Sequence, residues 1–202
     1  EILEPLPDTG LVEMRRPEEV LKDIFRDKID NSFCSKLFRR ELFASVSFPE
    51  GFFFEDHSLI YRIVCLCNTI VHGDRVFYHY IQHPGSVCHD WRFIKRYHYF
   101  LAEYDRILFI RHQGIYPKDE EIAVVAKIVK NCLYQFREAL FVANSREMKE
   151  DVPIIREKLK YLLPVNKKEL GVKNYNRLRK LVYFPSLYLN FHRIKRRITK
   201  EN

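Results

Sequence analysis

Apolar positions follow a helical period in some stretches and an alternating one in others. Val20, Leu21, Ile24 and Phe25 return on one face of a helix over 17–28. Pro17 suits its first turn, and Glu18 and Glu19 complement the helix dipole. Residues 1–16, with Pro5, Pro7 and Gly10, read as an extended lead-in, and 32–35 as a short strand or turn. Leu37, Phe38 and Phe43 predict two helical turns over 36–43. Leu59, Ile60, Ile63, Val64 and Cys67 predict a helix starting at Asp56, with Asp56 at the N-cap. Thr69 to His72 predicts a strand, Gly73-Asp74 a turn, and the alternation over 76–81 a second strand, which together make a hairpin.

Past Asp90 the period is helical throughout. Trp91, Ile94, Tyr97, Leu101, Tyr104 and Leu108 predict a long helix over 90–113 that Gly114 ends. Ile122, Val125, Ile128, Val129, Cys132, Phe136 and Leu140 predict another over 118–143. A third spans 145–163, with Pro153 limiting or kinking it, and a fourth 174–183. There is no internal repeat. The expected fold class is α+β and mostly helical. A mixed piece over 1–88 precedes a helical region over 89–202 that ends in a basic amphipathic tail.

Candidate chemistry centres on Phe48 to Ile60, FPEGFFFEDHSLI, where Glu55 and Asp56 follow an aromatic run. Capping is one use of Asp56. The other is a carboxylate held beside apolar surface, where burial raises its pKa toward that of a general base.

The formal net charge of +8 directs attention to anionic partners: nucleotide diphosphate, nucleic acid or an anionic membrane face. Five cysteines, an odd number in a chain of 202 residues, argue against a disulfide framework and for a reducing compartment. In a helix Cys65 and Cys67 point about 200° apart, so the reading there is buried free thiols rather than metal ligands. His72, His79, His83 and His89 form no ligand-like constellation. No run of about 18 apolar residues occurs.

Four pieces recur in order: Lys36-Leu37-Phe38-Arg39-Arg40-Glu41-Leu42-Phe43, then Phe48-Pro49-Glu50-Gly51 with Glu55-Asp56, then Tyr78-His79-Tyr80, then Pro84-Gly85-Ser86. Over about 17–87 this order resembles the acceptor-side half of family 2 glycosyltransferases of the GT-A fold. The likeness is to bacterial enzymes that build capsular, lipopolysaccharide or exopolysaccharide sugars. The resemblance implies that Asp56 is the catalytic base, taking the proton from the acceptor hydroxyl, and that Glu55 orients it or hydrogen-bonds the acceptor. Lys36, Arg39, Tyr78, Tyr80, His83 and Ser86 become substrate-binding candidates. It also implies a partial GT-A domain: a nucleotide-binding half with an Asp-x-Asp holding Mg or Mn on the donor diphosphate. No Asp-x-Asp, Gly-rich phosphate loop or Q-x-x-R-W motif occurs in this sequence. The expectation is therefore a C-terminal portion of a longer enzyme, with no cofactor of its own and no turnover alone. A core divided in this way would leave Phe52 to Phe54 exposed.

The expected partners are a glycan or lipid-linked acceptor, and a nucleotide sugar through the other half. The expected location is cytoplasmic, with peripheral attachment at the inner face of the cell membrane. The tail over 181–198 either lies on an anionic membrane or packs on its own bundle or a partner subunit. An alternative from a different class is a non-enzymatic helical interaction module that forms a homodimer. Nucleic-acid binding ranks low, because the basic residues are dispersed before the tail and no reading motif appears.

Overall fold

The structure is a computed structural model that describes residues 10–75, 77–79, 81, 91–162 and 167–198, with side chains as far as Phe191. The described residues form two short strands, eight α-helices and one 3-10 turn, a mostly helical α+β fold. The chain divides into two compact units, Glu1–Asp90 and Trp91–Asn202.

In the first unit, β1 (Val12–Arg15) leads directly into α1 (Pro17–Phe25). Pro17 opens α1, and the Glu19 carboxylate accepts hydrogen bonds from the Arg16 backbone N–H and guanidinium. Arg15 donates to Asp23 at 2.6 Å, which ties the strand to the helix. α1 buries Val20, Leu21, Ile24 and Phe25 and packs on α2 (Glu55–Cys65), which buries Ile60, Tyr61, Ile63 and Val64. The Phe25 and Tyr61 rings meet at 5.2 Å.

Three expectations change here. β2 (Ile70–Gly73) pairs antiparallel with β1, Val12 opposite Gly73 and Arg15 opposite Ile70, where the sequence predicts a hairpin with 76–81. Residues 77–79 and 81 are not strand. The bond from Asp74 N–H to the Leu11 carbonyl extends this pairing, while the Arg15–Asp23 ion pair holds the strand on α1. Residues 36–43 form only a 3-10 turn, Arg40–Phe43, preceded by an extended Arg39. Finally, the N-cap of α2 is Phe54, in left-handed backbone at φ 66°, so Glu55 and Asp56 both lie inside the first turn. There they complement the helix dipole rather than cap the helix.

The second unit opens with a long αα-hairpin, α3 (Phe93–Gln113) and α4 (Lys118–Val142). Gly114, in left-handed backbone, closes α3. Arg96 donates to Gln135 and Asn131 donates to Glu103, so the earlier part of one helix lies beside the later part of the other. Between them sit Phe100, Ile107, Ile110, Val129, Cys132 and Phe136, all buried. Glu103 and Arg106 form an ion pair at 3.3 Å inside this layer, with both side chains fully buried.

α5 (Ser145–Tyr161) begins with a capping box. The Asn144 side chain accepts from Glu147 N–H, and the Glu147 carboxylate accepts from Asn144 N–H. The helix runs through Pro153, which lies on its solvent side, so water can serve the carbonyl left without a ladder donor. A short α6 (Lys167–Leu170), then α7 (Val172–Tyr183) and α8 (Pro185–Ile198) complete the unit. The Arg156 guanidinium donates twice to the Val182 carbonyl and so fastens α5 to the end of α7.

Candidate functional site

The loop before the 3-10 turn is built by one lysine. The Lys36 ammonium donates to the carbonyls of Asp30 at 2.7 Å and Ser32 at 2.6 Å, and to the Ser35 hydroxyl at 3.2 Å. These three bonds match the three donors an ammonium owns. Burial pushes the Lys36 pKa down, while the charges of Asp30, Asp56 and Cys34 act to raise it. Lys36 is thus a clasp inside its loop, within electrostatic reach of Asp56.

Aromatic rings finish the loop. Phe33, Phe38, Phe43 and Phe48 close a ring of contacts, with centroids 5.5, 5.6, 6.0 and 5.4 Å apart around the circuit. A spacing of five residues would scatter these rings around an α-helix. Gathering them requires an open loop, which is why 36–43 yields only one 3-10 turn. Phe52, Phe53 and Phe54 are half-buried, not the exposed surface expected of a divided core.

On α2 the two acids diverge by about 100°. Asp56 accepts from His57 N–H through Oδ1 at 2.7 Å, and its Oδ2 has no hydrogen-bond partner among the described residues. Glu55 shares a helix face with Leu59, Arg62 and Leu66. Leu59, Arg62 and Leu66, with Ser45, Val46 and Ser47, line an open groove of about 340 Å³, and Glu55 is not part of its lining. The Glu55 peptide carbonyl accepts from the Ser58 hydroxyl, and its carboxylate makes no bond to Asp56 among the described residues.

Phe54 decides where both acids point. A bulky residue in left-handed backbone costs roughly 1–2 kcal/mol. The strain falls on the residue immediately before the acid pair. Left-handed strain of this kind concentrates at functional sites.

Tyr78 joins the same locality. Its hydroxyl is hydrogen-bonded to the Cys34 sulfur, which pushes its pKa above the ordinary phenol value. Cys34, Lys36, Asp56 and Tyr78 therefore form one chain of interactions, from three separate parts of the sequence. Arg39 is exposed. Tyr80, His83 and Ser86 lie outside the described residues.

No family model, curated protein or solved structure matches this chain.

Cys34 is the member that sequence reading missed, and the Tyr78 contact that marks it is non-local. The buried-thiol reading is corrected at Cys65, which projects away from the α2 core face and is exposed, and at Cys67, which is half-buried; Cys132 is buried. Among the described residues no group of three or more His, Cys, Asp or Glu could hold a metal ion.

Proposed function

We propose that residues 17–87 form the acceptor-side half of a glycosyl-transfer site, with Asp56 as general base. Its Oδ2, which has no hydrogen-bond partner among the described residues, takes the proton of an acceptor hydroxyl. That oxygen then forms the bond to the anomeric carbon as the bond to the nucleoside diphosphate breaks, and the diphosphate leaves with the electron pair. The nucleotide sugar and its metal belong to a donor half whose Asp-x-Asp is not among these 202 residues.

One observation carries this reading. Lys36 and Asp56, from two separate pieces of the ordered motif, lie within electrostatic reach of each other. Tyr78, from a third piece, reaches the same loop through Cys34. An accidental likeness of short motifs gives no reason for these positions to converge. The clasped loop then acts as a wall that places the acceptor against Asp56, and positioning of this kind supplies much of the barrier reduction in such a transfer.

The test is Asp56→Asn in the protein carrying this chain together with its donor half. Loss of a positioned base lowers transfer by about 10²-fold or more. Donor binding and the circular dichroism spectrum stay unchanged. Transfer at the unaltered rate in that variant removes Asp56 from the role.

A further inference from the structure

The end of the second unit carries a surface that the glycosyl-transfer reading does not use. α8 buries Tyr188 and Leu189, at 8% and 4% exposure, on one side. It turns Leu187 and Phe191 outward, each 67% exposed. In sequence the same helical register continues to Ile194 and Ile198. Where α7 meets α8, Tyr183 and Phe184 are also exposed.

Charge is concentrated in the same place. Nine Lys and Arg, and no Asp or Glu, fall between Gly171 and Lys200. The whole chain carries +8, so everything outside this stretch sums to −1. On α7, Lys173, Arg179 and Lys180 are exposed while Leu178, Leu181 and Val182 are buried.

We propose that α8, with the basic residues of α7, is an interfacial anchor that lies in the headgroup layer of an anionic bilayer. An outward apolar stripe within a wholly basic stretch is what such a surface takes: apolar side chains enter the acyl boundary, and cations stay with the lipid phosphates. No helix among the described residues is long and apolar enough to cross a membrane, so this one lies along the surface. A second copy of the chain is the weaker occupant. A two-fold pairing through α8 brings the same patch against itself, and here that means two blocks of nine like charges. Nucleic acid would satisfy the cations and leave Leu187 and Phe191 unused. The surface stands independently of the role given to Asp56.

Flotation of the whole chain with vesicles tests this. Vesicles of phosphatidylcholine mixed with phosphatidylglycerol should carry the protein at low salt and release it at high salt. Vesicles of phosphatidylcholine alone should not carry it. Leu187→Asp with Phe191→Asp should lower the partition at least about tenfold, and Arg196→Glu with Arg197→Glu by a similar factor. Leu187→Ser with Phe191→Ser is the milder replacement should helicity fall. Absence of flotation with anionic vesicles at low salt overturns the proposal. So does undiminished partition of the folded Leu187/Phe191 variants, which would reduce binding to charge alone. A dimer in sedimentation that Leu187→Asp dissociates would assign the surface to a second copy instead.

Discussion

One ion pair ties the first strand of the first unit to its first helix. Arg15 and Asp23 are both about four-fifths buried and meet at 2.6 Å. The hydrogen bond from Arg15, with the charges of Lys28 and Arg15, holds the Asp23 carboxyl below its ordinary value against the opposing effect of burial. A carboxyl lowered on folding contributes stability that is complete above its unfolded pKa of about 4. That contribution drains away as the pH falls through the folded value. Asp23→Asn should therefore cost about 1 kcal/mol at neutral pH. It should cost progressively less as the pH falls below about 4. Urea midpoints measured at pH 7 and at acid pH check both parts; an equal loss at the two pH values would show that the pair is not responsible. Lys36 is the contrasting case. Its acceptors are two backbone carbonyls and a neighbouring hydroxyl, so its clasp leaves no trace in residue type, and in sequence it stands only as a substrate-binding candidate.

At the scale of elements, legibility follows the range of the forces. α3, α4 and α5 begin and end close to where the sequence places them, because Gly114, the acids after Pro117 and the Asn144–Glu147 box act within one turn. Asn144→Ala should accordingly lower the stability of the second unit by about 1 kcal/mol. Thermal unfolding followed by circular dichroism reads this out, and no change in the midpoint would mean the cap is redundant. The β1–β2 pair was not legible, because its partners are 55 to 61 residues apart and a nearer alternation at 76–81 offered a shorter loop. The Phe33–Phe38–Phe43–Phe48 circuit was missed for another reason. Its five-residue spacing belongs to neither regular period, though that spacing is itself a signal that could have been read. In the candidate site, Asp56 and Tyr78 stood out in sequence by their motifs. The turn that aims Asp56 did not, since it rests on a phenylalanine in a conformation that glycine adopts freely.

At the scale of the molecule, the two units differ in what stabilises them. The second buries a continuous helical layer around Phe100, Val129, Cys132 and Phe136. The first relies on a two-helix core, a two-stranded pair and a loop held by one ammonium and four rings. Residues 91–202 produced alone should fold to a helical unit with a cooperative melt; a spectrum without helix would show that the division does not reach to independent folding.

Cys132 gives that difference a clock. Its sulfur lies wholly buried between α3 and α4, and burial pushes its pKa well above the ordinary thiol value. Thiolate is the reactive form, so an alkylating reagent finds Cys132 only when the helical layer opens. Cys34 and Cys65 of the first unit are exposed from the outset. Mass spectrometry of a timed alkylation would then separate an immediate modification from a delayed one. The delay measures how often the second unit breathes, without adding a probe to the chain.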